Sequence, residues 1–366
     1  MPVSSDAVWS ARDTTPDAIE AALRELLTAR HAENGGYAPA RVLNMIVFVD
    51  HAWSGEIANR LRGVGRYHAS RLVVLSYEPS RRRIDARATV ASEGDPGPGE
   101  LSLLRETVIV EIGDPHLDDL LTIADPLVVS DLLTLLWSPH GHHHALGELL
   151  PLAQAVLVDS VDEPDAREAI ARAQALARDA YVVDLAWLRS TPWRERLAST
   201  FDPPPMRRQL RTLTSLSIRH HPDSAIAAML LIGWLASRLG WELSPLVAHH
   251  GVLSGKAHGR RQDIALHLVP SPEQQVRGLA GLELETASGL HLRLDRGPGG
   301  LHARRRWSTT GSAGGGADRS RGQEQEWTML GASRGEAGIL GEGIRQALLR
   351  DPTYAPALAA AEQIVP

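Results

Sequence analysis

Gly331-Ala332-Ser333-Arg334-Gly335 has the G-x-S-x-G spacing that lifts a nucleophilic serine onto a sharp turn. A strand-like run from Trp327 to Leu330 precedes it and a helical run follows. In enzymes built that way an acid and then a histidine come after the serine, yet no histidine lies beyond His302. Ser333 therefore reads as one residue of a glycine-rich strand-to-helix turn. His140-Gly141-His142-His143-His144 offers imidazoles to Zn²⁺ or Ni²⁺, just past a strand ending at Trp137, where α/β proteins often carry sites. Adjacent histidines point in different directions, however, and no carboxylate follows at H-E-x-x-H spacing. His140, His142, His143 and His144 are weak metal candidates in a polar loop.

Two phosphate-binding imitations fail on spacing. Gly251-Val252-Leu253-Ser254-Gly255-Lys256-Ala257 has three residues between its glycines where a P-loop needs four, and Ala257 has no hydroxyl for Mg²⁺. Gly63-Val64-Gly65-Arg66-Tyr67-His68 lacks the third glycine of a dinucleotide fingerprint and follows a helix instead of opening one. Arg304-Arg305-Arg306 with Trp307 reads as a solvated strand end or a partner-facing patch. Arg71, at a strand start, is a candidate anion-binding residue.

The segment Asp184 to Glu195 concentrates a different chemistry. Trp187, Arg189, Trp193 and Arg194 are the residue types enriched at interface hot spots, and Thr191 and Pro192 lie among them. Large aromatics are also the commonest core anchors. Two readings stand side by side: direct contact with a partner, or tryptophans anchored between domains with Arg189 and Arg194 paired to Asp184 and Glu195.

The elements that must position these residues follow from length and pattern. A chain of 366 residues exceeds the size at which single cores stop growing, so two domains are expected. Its 43% apolar content supports real cores, and its net charge of −6 opposes the basic footprint of a nucleic-acid binder. With no cysteine, thiolate catalysis, Zn–Cys sites and disulfides are excluded. Lys256 is the only lysine among 38 basic residues, a compositional bias and not arginine chemistry. Met1 to Arg12 has no apolar stretch, and Ala225 to Ala236 falls short of the ~20 residues a bilayer crossing needs. A cytoplasmic protein without membrane or nucleic-acid partners is expected.

Thr14 and Thr15 before Pro16-Asp17 cap a first helix that ends at Asn34-Gly35-Gly36. Val42–Val49 is a β-branched, almost wholly apolar run that fits a strand buried on both faces. Further strands are expected at 72–77, 84–90 (as an edge), 107–112, 132–137 and 155–158, with short helices at 57–62 and 117–123. This alternation predicts an α/β N-terminal domain with a mainly parallel sheet, over 1–161. Helices are then expected from Asp162 to about Asp179, from Leu185 to Phe201 with a bend near Thr191-Pro192, and from Asp223 to Leu239. Period-two runs at 264–269, 281–286, 290–294 and 301–307 follow, with a turn at Ser288-Gly289. The second half thus reads as an α+β domain over 162–310, helices then antiparallel strands. Residues 311–325 read as a Gly/Ser-rich insertion, and 326–366 as a strand and helix packing on the second domain.

Asp184-Leu185-Ala186-Trp187-Leu188-Arg189-Ser190-Thr191-Pro192-Trp193-Arg194-Glu195 resembles the hallmark segment of the glucose-6-phosphate dehydrogenase assembly (OpcA) family. Ala40–Asn44, Ser70-Arg71, Leu132–Trp137, Val158-Asp159-Ser160 and Gly233–Trp241 resemble it too, in order, over more than half of the chain. The resemblance implies a non-catalytic assembly factor without cofactor. It would bind glucose-6-phosphate dehydrogenase and favour its active oligomer in the oxidative pentose phosphate pathway. Trp187, Arg189, Thr191, Pro192, Trp193 and Arg194 would then serve partner binding. The competing readings are a sugar-phosphate or metal-dependent hydrolase using His140–His144 or Ser333, and a sugar-phosphate sensor using Arg71.

Overall fold

The computed structural model describes residues 6–39, 41–64, 70–92, 102–260, 262–307, 324–330 and 335–366. Ser333 and residues 311–323 of the expected insertion lie outside them. The chain folds as two compact units. The first comprises 1–158, 176–183 and 336–350; the second comprises 159–175, 184–335 and 351–366.

The first unit holds a nine-stranded, mostly parallel sheet. Its parallel heart runs Ser102–Ile112, Ser70–Tyr77, Leu43–Asp50, Leu133–Trp137 and Ala155–Val158 in spatial order. Leu43–Asp50 is buried along all but its last residue, as a sequence apolar except for Asn44 and the terminal Asp50 requires of a central strand. The expected edge strand near 84–90 is not an edge. Asp85–Ser92 lies between Ser102–Ile112 and an outer strand, Ala7–Ala11, whose five alternating residues are too short a signal to stand out in sequence. Tyr181–Asp184 closes the opposite side. The first helix spans Pro16–Glu33, with Thr15 Oγ1 accepting from the Ala18 amide at 3.3 Å. The expected helix at 57–62 is longer, His51–Val64.

The second unit holds a second nine-stranded sheet, antiparallel except where Leu213–His220 pairs parallel with Asp263–Pro270. The antiparallel succession Leu279–Thr286, Leu290–Gly297 and Gly300–Trp307 matches three of the period-two runs, and Glu324–Leu330 extends it beyond them. Gly289 takes φ +83° at the turn between the first two, a conformation that favours glycine. One strand departs from the expected order of helices first: Leu213–His220 enters the middle of the sheet ahead of the helix Ala225–Leu239. The P-loop imitation lies on a further strand, Val252–His258.

Ala225–Leu239 is buried nearly all round and ends in left-handed Gly240. It packs on a later helix, Tyr354–Glu362, at very close range. A Cβ placed on Gly233 would stand 2.1 Å from the Ala357 carbonyl oxygen, so only glycine permits this crossing. Among the described residues no helix is long and apolar enough to cross a membrane.

Candidate functional site

The aromatic and arginine-rich segment forms two short helices, Leu185–Arg189 and Thr191–Phe201, broken at Ser190. The expected bend is there, but it falls one residue before Thr191. The freed end of the first helix is satisfied locally: Ser190 Oγ donates to the Trp187 carbonyl at 2.7 Å.

The aromatic and arginine side chains Trp187, Arg189, Trp193 and Arg194 are turned inward. Trp187 is 2% exposed and Trp193 1%, while Arg189 and Arg194 are each 8% exposed. The Arg194 guanidinium lies 3.5 Å from the Trp187 ring centroid, a desolvated cation–π contact. It also donates to Ser190 Oγ at 3.1 Å, Thr191 Oγ1 at 2.9 Å and the Trp187 carbonyl at 3.3 Å. Its acidic partner is Asp351, 3.5 Å away, and not the neighbouring Glu195, which is exposed. Burial holds Arg194 down at a pKa of about 10, below the ordinary arginine range.

Three aspartates receive this segment. Asp351 accepts from the Trp187 indole at 2.9 Å and from the backbone and hydroxyl of Thr353. Burial alone would raise its pKa, but those hydrogen bonds and the Arg194 charge bring it below the usual value. Asp159 takes Arg189 in a two-pronged pair, at 2.8 and 2.7 Å. Asp184, expected to pair with Arg189, instead caps the first helix through the Ala186 amide at 2.9 Å. It also accepts from Ser160 and from the Tyr354 hydroxyl at 3.1 Å. At 1% exposure its carboxyl is pushed up to about 6, first by burial and then by the Asp159 charge. Asp159, Asp184 and Asp351 are the first residues of the three chain segments that compose the second unit. The tryptophan–arginine stretch gathers all three into one polar knot. Thr191 and Pro192 are half-buried, so they and Glu195 form its outward side.

Arg71 is 3% exposed in the first unit. It donates to Glu106 at 2.7 Å, Glu20 at 2.9 Å and the Leu127 carbonyl at 3.2 Å, which makes it an internal ion-pair residue. Arg41 meets the other oxygen of Glu106. The structure brings two of the four candidate histidines together: His142 Nε2 lies 3.1 Å and His140 Nδ1 3.9 Å from Asp50. His142 also packs edge-on to Phe48 at 4.9 Å. His144 stands apart near Asp118, and His143 is exposed at a helix start. No group of three or more side chains able to hold a metal occurs among the described residues.

Asp351 and Tyr354 carry no signal in the sequence that ties them to Trp187 more than 160 positions earlier. Asp159 is visible only as part of Val158-Asp159-Ser160.

Residues 62–175 match the family model described as the glucose-6-phosphate dehydrogenase subunit N-terminal domain, and residues 180–358 the one described as its C-terminal domain. Among curated proteins, the chain is 32% identical over 106 residues to the candidate OxPP cycle protein OpcA of Synechocystis sp. That stretch covers 28% of this chain and 22% of the relative. It is 28% identical over 141 residues to the protein of the same description in Synechococcus elongatus, covering 37% and 32%. The matches thus span about a third or less of these relatives' lengths. Among solved structures, the WlbA (WbpB) dehydrogenase of Thermus thermophilus is 14% identical, with a TM-score of 0.44 over 89% of this chain and 96% of that one. A likeness at that score carries no argument about the chemistry of this chain.

Proposed function

We propose that this chain, which belongs to the OpcA family of glucose-6-phosphate dehydrogenase assembly proteins, acts without turnover of its own by binding that dehydrogenase and favouring its active oligomer in the oxidative pentose phosphate cycle. The observation that carries the reading is the family match itself, which extends through residues of both units.

The geometry suggests how the hallmark segment would serve. Buried Trp187, Arg189, Trp193 and Arg194 shape a surface from beneath, while Thr191 and Pro192 offer its outer side to the dehydrogenase. Such a partner works by binding the assembled conformation better than the others. Moving a population from 1:99 to 99:1 takes roughly 10⁴-fold differential affinity, about 5.5 kcal/mol. A protein–protein interface of ordinary size can supply this.

The test is a titration of the purified chain into the cognate dehydrogenase, following NADPH formation and oligomer mass by sedimentation. A saturable rise in rate, or a fall in KM, with a shift to heavier species is expected. An unchanged rate, KM and mass at micromolar concentrations of both proteins would refute the proposal.

A further inference from the structure

Away from the tryptophan knot, the second unit contains a cavity of about 390 Å³ with an unusual balance of charge. Four arginines line it: Arg207, Arg211, Arg238 and Arg260. Among the described residues no carboxylate does. Its apolar wall includes buried Trp241 and Ile264. Arg207 has a partner outside the cavity, Asp202, at 3.1 Å. The guanidinium groups of Arg211, Arg238 and Arg260 have neither an ion pair nor a hydrogen bond among the described residues.

The elements around the cavity hold these groups at fixed stations. Arg207 lies on the helix Pro204–Gln209, and Arg211 on the 3₁₀ turn Leu210–Thr212. Arg238 lies in the last turn of Ala225–Leu239, and Arg260 in the turn after Val252–His258 that is closed by the Gly259 amide on the Gln262 carbonyl at 3.0 Å. Asp202 neutralises Arg207, and the helix ending at Leu239 presents its partly negative carboxyl end here, worth about half a charge, so roughly two and a half positive charges remain.

Elsewhere this chain pairs its arginines heavily. Arg71, Arg81, Arg189 and Arg293 each meet one or more carboxylates. In a protein of net charge −6, converging unpaired cations on one concavity is a repulsive arrangement that a bound anion relieves. Planar guanidinium forks suit tetrahedral oxyanions, and the volume matches the smaller ligand pockets.

We propose that this cavity binds a small phosphate-bearing anion, its phosphoryl oxygens held by Arg211, Arg238 and Arg260 and any organic part lying against the Trp241 wall. The proposal is independent of the dehydrogenase reading, because it concerns a ligand of the isolated chain.

The test uses the full chain and four probes: orthophosphate, pyrophosphate, glycerol 3-phosphate and ADP, each against sodium chloride at matched ionic strength. Calorimetric titration and thermal melts are the readouts. At tenfold excess over Kd a rise of roughly 3 °C in Tm is expected, with none from chloride. Pyrophosphate binding as tightly as the esters would identify the phosphoryl group alone as the recognised feature. An ester tighter by tenfold would add the apolar wall. The double variant Arg238→Gln/Arg260→Gln, both exposed positions, should keep its unliganded Tm and lose at least tenfold in affinity. The proposal is overturned if no probe exceeds the chloride control, or if the double variant binds as the wild type does.

Discussion

Asp184→Asn isolates the cost of a buried charge at the head of the hallmark segment. The carboxyl is 1% exposed and its pKa stands at about 6 in the folded chain, against an ordinary 3.8. At about 1.36 kcal/mol per unit, the ionised form is disfavoured in the fold by roughly 3 kcal/mol. The sign follows directly. The folded state binds the proton more tightly than the unfolded state, so this group's stabilising contribution is complete below pH 3.8 and is lost as pH rises through about 6. Asparagine mimics the protonated acid. Its oxygen can accept from the Ser160 and Ala186 amides as Asp184 Oδ1 does at 3.1 and 2.9 Å, while its amide can donate to the Ser160 and Tyr354 hydroxyls. The variant should therefore match the wild type near pH 4 and equal or exceed it by up to about 3 kcal/mol at pH 8. The slope of stability against pH between 4 and 6.5 should differ between the two proteins by as much as about 1.4 kcal/mol per unit. Urea denaturation at five pH values, read by tryptophan fluorescence, measures both quantities. A variant less stable by more than about 2 kcal/mol at pH 8, with an unchanged slope, would mean that the ionised carboxylate is fully compensated and that the burial argument is wrong.

Arg194→Met should cost about 3–5 kcal/mol in the same assay, since it strips Asp351 of its cation and Trp187 of its stacked partner. Trp187→Phe, which keeps an aromatic ring but loses the indole bond to Asp351, should cost about 1–3 kcal/mol. Gly233→Ala should destabilise by about 1–3 kcal/mol or more, because the added methyl meets the Ala357 carbonyl oxygen at 2.1 Å; a neutral result by thermal melt would refute the close helix crossing. Tyr77 donates to Asp114, and that bond, with burial and the Asp114 charge, pushes its phenol up to about 12. Absorbance at 295 nm should show a tyrosine that ionises late in the wild type and earlier in Asp114→Asn.

The parallel heart of the first sheet was legible because both of its faces are buried. Leu43–Asp50 and Leu133–Trp137 are almost wholly apolar, broken within by only Asn44 and Thr134, and such runs have few alternative structures. The antiparallel strands from Leu279 to Trp307 were legible through their alternation. What escaped was short, or was determined from far away. Ala7–Ala11 and Tyr181–Asp184 hold too few residues to show a period, and they are strands because a neighbouring edge was open to pair with them. Leu213–His220 carries polar Thr214, Ser215 and Ser217 between its apolar residues, so its place at the centre of a sheet is set by partners on both sides.

The site followed the same division. Composition singled out Trp187, Arg189, Trp193 and Arg194 as a group, and all four are buried, since four large costly side chains within eight residues require a common environment. It misassigned their ion pairs, because a sequence neighbour such as Glu195 competes poorly with a carboxylate already fixed in place. Glu195 projects to solvent on the next helical position, while Asp351 is held by Thr353 and faces the buried guanidinium. The desolvation cost of Arg194 is returned only where the anion is also buried and oriented, which selects Asp351. The segment's chemistry is thus that of joining Asp159, Asp184 and Asp351, one from each chain segment of the second unit, and substitutions within it should act on any partner through the stability of that unit before they act on contact.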